Sequence, residues 1–265
     1  MPHAPHLVFD MPFFLHFVFD PRPALLQGLV VTVLGAAIAQ LLGTVIGVVL
    51  GLSGMHRALP LRVLNQGYIW FFRGTPVLVQ LVLIYFGLPY LVGFDLFPAV
   101  MSLGPLHLSG ALVAGVIAFG LHEAAYMSEI TRASVGSIDP GQMEAALAVG
   151  MTPAMAMRRI VLPQAVPLIV PALGNQFNNM LKTTALLSVI GVSEMFRVAE
   201  QMQAATFMTF EVYLGVSVYY LMLTGVWTFI QHGLESWLSR GGRNGKRQSA
   251  KATKAPRARA ASGNS

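Results

Sequence analysis

The chain has 265 residues, of which 55% are hydrophobic and 11% charged, and its mean hydropathy is +0.63. Soluble domains carry roughly 25% charged residues, so this composition excludes an ordinary soluble fold. There is no cysteine, which excludes a disulfide framework and a thiolate metal site, and the net charge of +6 comes from basic residues that flank apolar runs. That placement points to membrane orientation and membrane lipid, not to nucleic acid.

Residues 1–23 are amphipathic and aromatic (Phe9, Phe13, Phe14, Phe17, Phe19) and lack the basic start of a signal peptide. They predict an interfacial helix. Residues 24–52 form a first span, with Gly35, Ala39, Gly43, Gly47 and Gly51 recurring every fourth residue. Such a ridge permits close helix approach, either to a second subunit or within the chain. After a short loop at 55–62 with His56, Arg57 and Arg62, residues 63–91 form the second span. Gln66, Arg73 and Gln80 lie seven apart and would share one face of a continuous helix. Arg73 must face protein or water at depth, or snorkel from the cytoplasmic end.

Residues 92–107, with Gly93, Asp95, Pro98, Gly104 and Pro105, read as an outer loop, and 108–135 as the third span. His122, Tyr126 and Glu129 fall on one face of it. The HEAAY run misses the HExxH zinc pattern because Tyr126 stands at the second histidine. Residues 165–192 form the fourth span, with Pro167 and Pro171 expected to kink it. Asn175, Asn178 and Lys182 share a face there. Residues 193–206, with Glu194, Arg197 and Glu200, read as an outer loop, and 207–237 as the fifth span. Residues 240–265 are basic, without apolar period, and predict a disordered tail. The chain thus divides into an N-terminal segment (1–23), a membrane domain (24–239) and a tail (240–265), with an all-α, polytopic fold of about five transmembrane helices.

Between the third and fourth spans, residues 137–164 are too polar and too punctuated to cross a bilayer. Asp139 is a helix cap, Pro140 suits the first helical position and Gln142 stands three residues after the cap. Gly150 supplies a stop, Thr152 and Pro153 a second start, and Pro163 a limit. The expectation is two short helices, 140–149 and 153–161, bent at Gly150 and shaped to dock into a partner.

These residues carry a resemblance. Glu144, Ala145 and Ala146, then Gly150, then Ile160, Leu162 and Pro163 match the EAA pattern of ABC importer permeases. FFRGTP around Arg73 and the Ala125, Tyr126, Glu129, Arg132 series resemble the polar amino-acid (histidine, glutamine, arginine, opine) permeases of that family. Lys182 and the residues after it resemble the family's K-D-T-[SA]-L stretch, with Thr183 where aspartate is usual. The resemblance covers about 26–237. It implies coupling helices that enter a groove on each of two ATP-binding subunits, a second permease subunit, identical or homologous, and a soluble binding protein that delivers an amino acid. It further implies that ATP and Mg are bound by the partner, since this chain has no G-x-x-x-x-G-K-[ST] loop and no cofactor of its own.

The arginine and lysine bias puts the N-terminus outside and the loop and tail in the cytoplasm, and the resemblance implies a bacterial inner membrane. Along the substrate path the reading names Lys182, Asn178, Thr183, Glu129, Glu123, Tyr126 and Arg73. Lys182, the sole lysine before the tail, is the candidate partner of a ligand carboxylate, or else it pairs permanently with a glutamate. An autonomous carrier or channel, or a permease for another polar solute, stands as the alternative.

Overall fold

The computed structural model describes residues 9–55, 59–103 and 106–260. His56, Arg57, Gly104 and Pro105 lie outside the described residues. Among the described residues four helices are long and apolar enough to cross a membrane, or five if one bent pair counts as a single span.

The chain begins with α1 (Met11–Phe19), capped by the Asp10 side chain on the Phe13 amide. Its Phe17 is buried, and the Tyr219 hydroxyl donates to the carbonyls of Phe17 and Val18. The expected interfacial helix is therefore also packed on the last span. The first span is α2 (Pro23–Ser53) and the third is α6 (Gly110–Gly136). They pack through the small-residue ridge. A Cβ added at Gly43 would stand 2.6 Å from Glu123 Cβ, and one at Gly47 would stand 2.5 Å from Met127 Cβ. At Gly51 it would meet the Ser128 carbonyl at 2.7 Å. The ridge is thus used inside the chain. The opposite stripe of α2 (Leu34, Leu41, Val45, Val49) is exposed, as lipid-facing residues are.

The second span is broken. Helix α3 (Leu59–Gly74) and the segment Val77–Val92 meet at 106°. That segment consists of α4 (Val77–Val82), a π turn at Leu83–Gly87 and α5 (Leu88–Val92). Pro76 has no amide hydrogen to donate and disfavours a helical Thr75. The bend overturns the single face for Gln66, Arg73 and Gln80. A short antiparallel pair, β1 (Met101–Leu103) and β2 (Leu106–Leu108), overlaps the end of the expected outer loop.

After α6 come α7 (Pro140–Ala148) and α8 (Pro153–Ala156), then a π turn at Met157–Val161 leading into α9 (Leu162–Thr183). Pro163, expected from sequence to end the second short helix, does not do so. It stands at the second residue of α9, just past the π turn, so its missing amide hydrogen falls where the hydrogen-bond register already changes. Helix α9 runs through Pro167 and Pro171 without a break and ends in a 3-10 turn at Thr184–Ile190.

Residues 193–206 are not a loop. They hold α10 (Met195–Thr206), started by Glu194, whose side chain accepts from the Phe196 and Arg197 amides. Glu194 is fully buried and also accepts from Thr32 of α2. Burial pushes its carboxyl up to about 7 against those opposing hydrogen bonds. Helix α11 (Thr209–Ala260) contains the last span and continues as backbone helix across residues whose composition predicted disorder.

Three apolar clusters hold these elements. One joins α2, α4, α6 and α9 through Ala39, Leu81, Phe119 and Leu181. A second joins α1, α10 and α11 through Phe17, Met195 and Val212. The third seats the loop after α6, with Val135, Val161 and Ala165 against Ile138 and Met143.

Candidate functional site

The loop element is built from local chemistry. Asp139 caps α7 by accepting from the Gly141 amide at 2.9 Å, and Thr152 caps α8 by accepting from Met155 at 3.3 Å. Gln142 does not close a capping box; its oxygen instead accepts from Gln164 of α9. Gly150 has φ +84°, where an L side chain is strained. The Met151 amide bonds to Ala146 and the Gly150 amide to Leu147, the paired closure that a left-handed glycine allows. Ala146 and Ala156 are buried and fix the bend from within. Glu144, Ala145 and Gly150 are exposed, as are the apolar Leu147, Val149 and Met155. Ile160 and Leu162 are half-buried and Pro163 exposed. Exposed apolar side chains on a polar-capped element are the pattern that marks docking surfaces.

The second feature is a cavity of about 180 Å³ between α6 and α9, lined by Phe119, His122, Glu123, Tyr126, Gln176, Asn179, Met180 and Thr183. Glu123 is 3% exposed. One of its oxygens accepts from Gln40 Nε2 of α2 at 3.0 Å, the other from Gln176 Nε2 of α9 at 3.2 Å. Among the described residues no cation pairs with it. A buried carboxyl supported only by amides is chemically complementary to a positive or donor-rich group. Thr183 donates to the Asn179 carbonyl, which leaves its hydroxyl oxygen free to accept.

A charged cluster adjoins the cavity. Arg132 makes a two-point contact with Glu129, at 2.9 and 3.1 Å. Arg73, at the end of α3, lies 3.7 Å from the same carboxylate and 5.4 Å from the centre of the Tyr126 ring. All three charges are partly exposed, so the cluster contributes little stability. It does tie the break in the second span to α6.

The structure thus brings together Glu123, Tyr126 and Thr183, and places Arg73 and Glu129 beside them. It sets Lys182 apart. Lys182 is exposed and lines a separate cleft of about 300 Å³ with Ala185, Phe196, Tyr213, Val216, Ser217 and Tyr220. Asn178 is half-buried, outside the Glu123 cavity, with its side-chain oxygen unbonded among the described residues. Lys182 and Thr183 are chain neighbours, but on a helix neighbours point about 100° apart. Sequence reasoning missed Gln40, Gln176 and Asn179. Gln40 carried a usable signal, since a glutamine inside an otherwise apolar span must find a partner.

A family model described as the binding-protein-dependent transport system inner membrane component matches residues 43–240. The probable amino-acid permease protein YxeN of Bacillus subtilis (strain 168) is 40% identical over 224 residues, covering 84% of this chain and 95% of that protein. The arginine transport system permease protein ArtQ of the same organism is 35% identical over 213 residues, covering 80% and 91%. Among solved structures, a chain from the crystal structure of an amino acid ABC transporter with histidines gives a TM-score of 0.73 at 36% identity, covering 87% of this chain and 99% of that one. A chain of the MetNI methionine ABC transporter shares the fold, with a TM-score of 0.64 at 20% identity over 81% of this chain and 95% of that one. The chain belongs to the family of inner-membrane components of binding-protein-dependent transport systems.

Proposed function

We propose that this permease carries a polar amino acid into the cytoplasm, and that the ligand passes through the Glu123 cavity. The family supplies the frame: a multi-pass inner-membrane permease of an ABC importer, with ATP hydrolysis in a partner subunit and delivery by a binding protein. The observation that carries the finer reading is the buried Glu123, held by two amides and open to a cavity of about 180 Å³. An α-ammonium or a cationic side chain complements that carboxyl, with Tyr126 and Thr183 adding polar contacts. Named relatives that handle amino acids support the ligand class.

In this reading Glu144, Ala145, Ala146 and Gly150 enter a groove on an ATP-binding subunit, one for each of two permease chains. Ile160, Leu162 and Pro163 join that element to α9. ATP and Mg are bound by those partners. The N-terminus lies outside and the tail in the cytoplasm. The exposed Lys182 would face the shared path or the second permease chain, where its ammonium could receive a ligand carboxylate.

The test is ATPase activity of the reconstituted complex with binding protein, screened across amino acids. Stimulation by one or a few of them is expected. Indifference to all of them, or uptake by the permease alone in ATP-free liposomes, would overturn the proposal.

A further inference from the structure

Gln80 lies in α4, just past the break in the second span, and is 2% exposed. Its amide nitrogen reaches the Phe72 carbonyl at 2.9 Å, the Thr75 carbonyl at 3.1 Å and Thr75 Oγ1 at 2.7 Å. Two of these oxygens can only accept, so the atom facing them is the NH2 group and the amide orientation is fixed. Its oxygen therefore faces His122 Nδ1, at 2.9 Å. The Phe72 carbonyl is a further acceptor beside the ring. A carbonyl oxygen cannot donate, so Nδ1 must carry the proton. In a neutral ring Nε2 is then a bare acceptor. His122 lines the cavity between Glu123 and Tyr126, and its ring lies 5.1 Å from that of Tyr126.

We infer that Gln80 is a positioning residue for the cavity: it holds His122 in the Nδ1–H tautomer, so that Nε2 accepts a hydrogen bond from an N–H of the ligand. This rests on the cavity being the ligand site, as proposed above. The wall formed by His122 and Glu123 then offers acceptors. It favours ligands with an amide, guanidinium or ammonium N–H at this wall and disfavours a carboxylate side chain. The same Gln80 amide satisfies the carbonyls freed at the 106° bend, so the bend and the tautomer are set by one side chain.

The experiment is nitrogen NMR of the full complex in lipid nanodiscs with labelled histidine. The His122 signals are those lost in His122→Asn. Wild type should show a protonated Nδ1 and an unprotonated Nε2. Gln80→Leu removes the side-chain acceptor and leaves only the Phe72 carbonyl, so the Nδ1–H share should fall and an Nε2–H form should appear beside it. Gln80→Glu cannot donate to Phe72 or Thr75 but keeps an oxygen at His122, so Nδ1 should stay protonated. A role confined to bracing the bend predicts that both variants leave the tautomer alike.

In parallel, arginine, glutamine and glutamate are used as probes of ATPase stimulation. Gln80→Leu should raise the half-maximal concentration of an N–H-bearing probe about fivefold, the worth of one neutral hydrogen bond, and Gln80→Glu should do so less. A wild-type His122 protonated on Nε2, or the same tautomer balance in both variants, would overturn the inference. If Gln80→Leu does not assemble, Gln80→Met, which offers His122 only a weak acceptor, takes its place. If no probe stimulates the wild type, the ligand reading fails while the tautomer stands or falls on its own spectrum.

Discussion

Between Asp139 and Val161 the bonds that shape the chain are short in sequence: Asp139 caps two residues on and Thr152 three residues on. Around Glu123 they are long. Gln40 reaches it across 83 residues, Gln176 across 53, and Gln80 reaches His122 across 42. The first region is a local code displayed at the surface, where the proposed partner would read it. The second exists only once four helices have packed. Damage to the loop should therefore leave the membrane domain intact, whereas damage to the helix contacts should empty the cavity of its function.

The largest expected effect tests that dependence. In Gly47→Val the new Cβ would stand 2.5 Å from Met127 Cβ, a contact relieved only by moving α2 away from α6. Gln40 and Glu123 would part with it. Loss of nearly all assembled complex is expected, measured as co-purification of the ATP-binding partner. Normal assembly would show that the ridge tolerates separation.

Next comes Glu123→Gln, which keeps the shape and removes the charge. One of the two supporting amides then faces an N–H and must turn. Uptake should fall at least about tenfold, since charged hydrogen bonds are worth roughly 1.5–3 kcal/mol, while the amount of complex stays the same. Uptake within twofold of wild type would move the ligand site elsewhere.

The smallest effect is expected from Gly150→Val. The position is sterically open but has φ +84°, which costs a β-branched residue about 1–2 kcal/mol. The permease should insert normally while ligand-stimulated ATPase activity drops severalfold. Undiminished stimulation would detach the bend from coupling.

The same contrast explains what could be read from residues alone. Caps, glycine stop and proline start announce the loop because each acts on its own neighbours. The apolar runs announce the spans. The break at Thr75–Pro76 was legible in principle, since proline excludes a helical predecessor, but a continuous apolar run masked it. Helix α10 was missed because Glu194 is an unusual cap and the helix has exposed polar positions. The site was half legible. Glu123, Tyr126 and Thr183 were named, but Lys182 was grouped with them by spacing along one helix. What decides grouping is the rotation of α9 against α6 and α11, and no local pattern encodes that.

One consequence follows from the passage of the docking element into the fourth span. From Pro153 to Thr183 the backbone is helical throughout, through a π turn and three further prolines, whereas α7 joins α8 through the turn at Gly150. Thirty-one residues at 1.5 Å each make a rod of about 45 Å. Its lower end carries Met155 and its upper end carries Gln176, Asn179 and Thr183. A tilt of about 5° at the lower end swings the far tip by about 4 Å over that length, more than a hydrogen bond can stretch. Gln176 would then let go of Glu123 before Gln40 does, because Gln40 stands on α2, locked to α6 by glycines. The carboxyl is held by one fixed hand and one movable hand, and the movable one is on the lever.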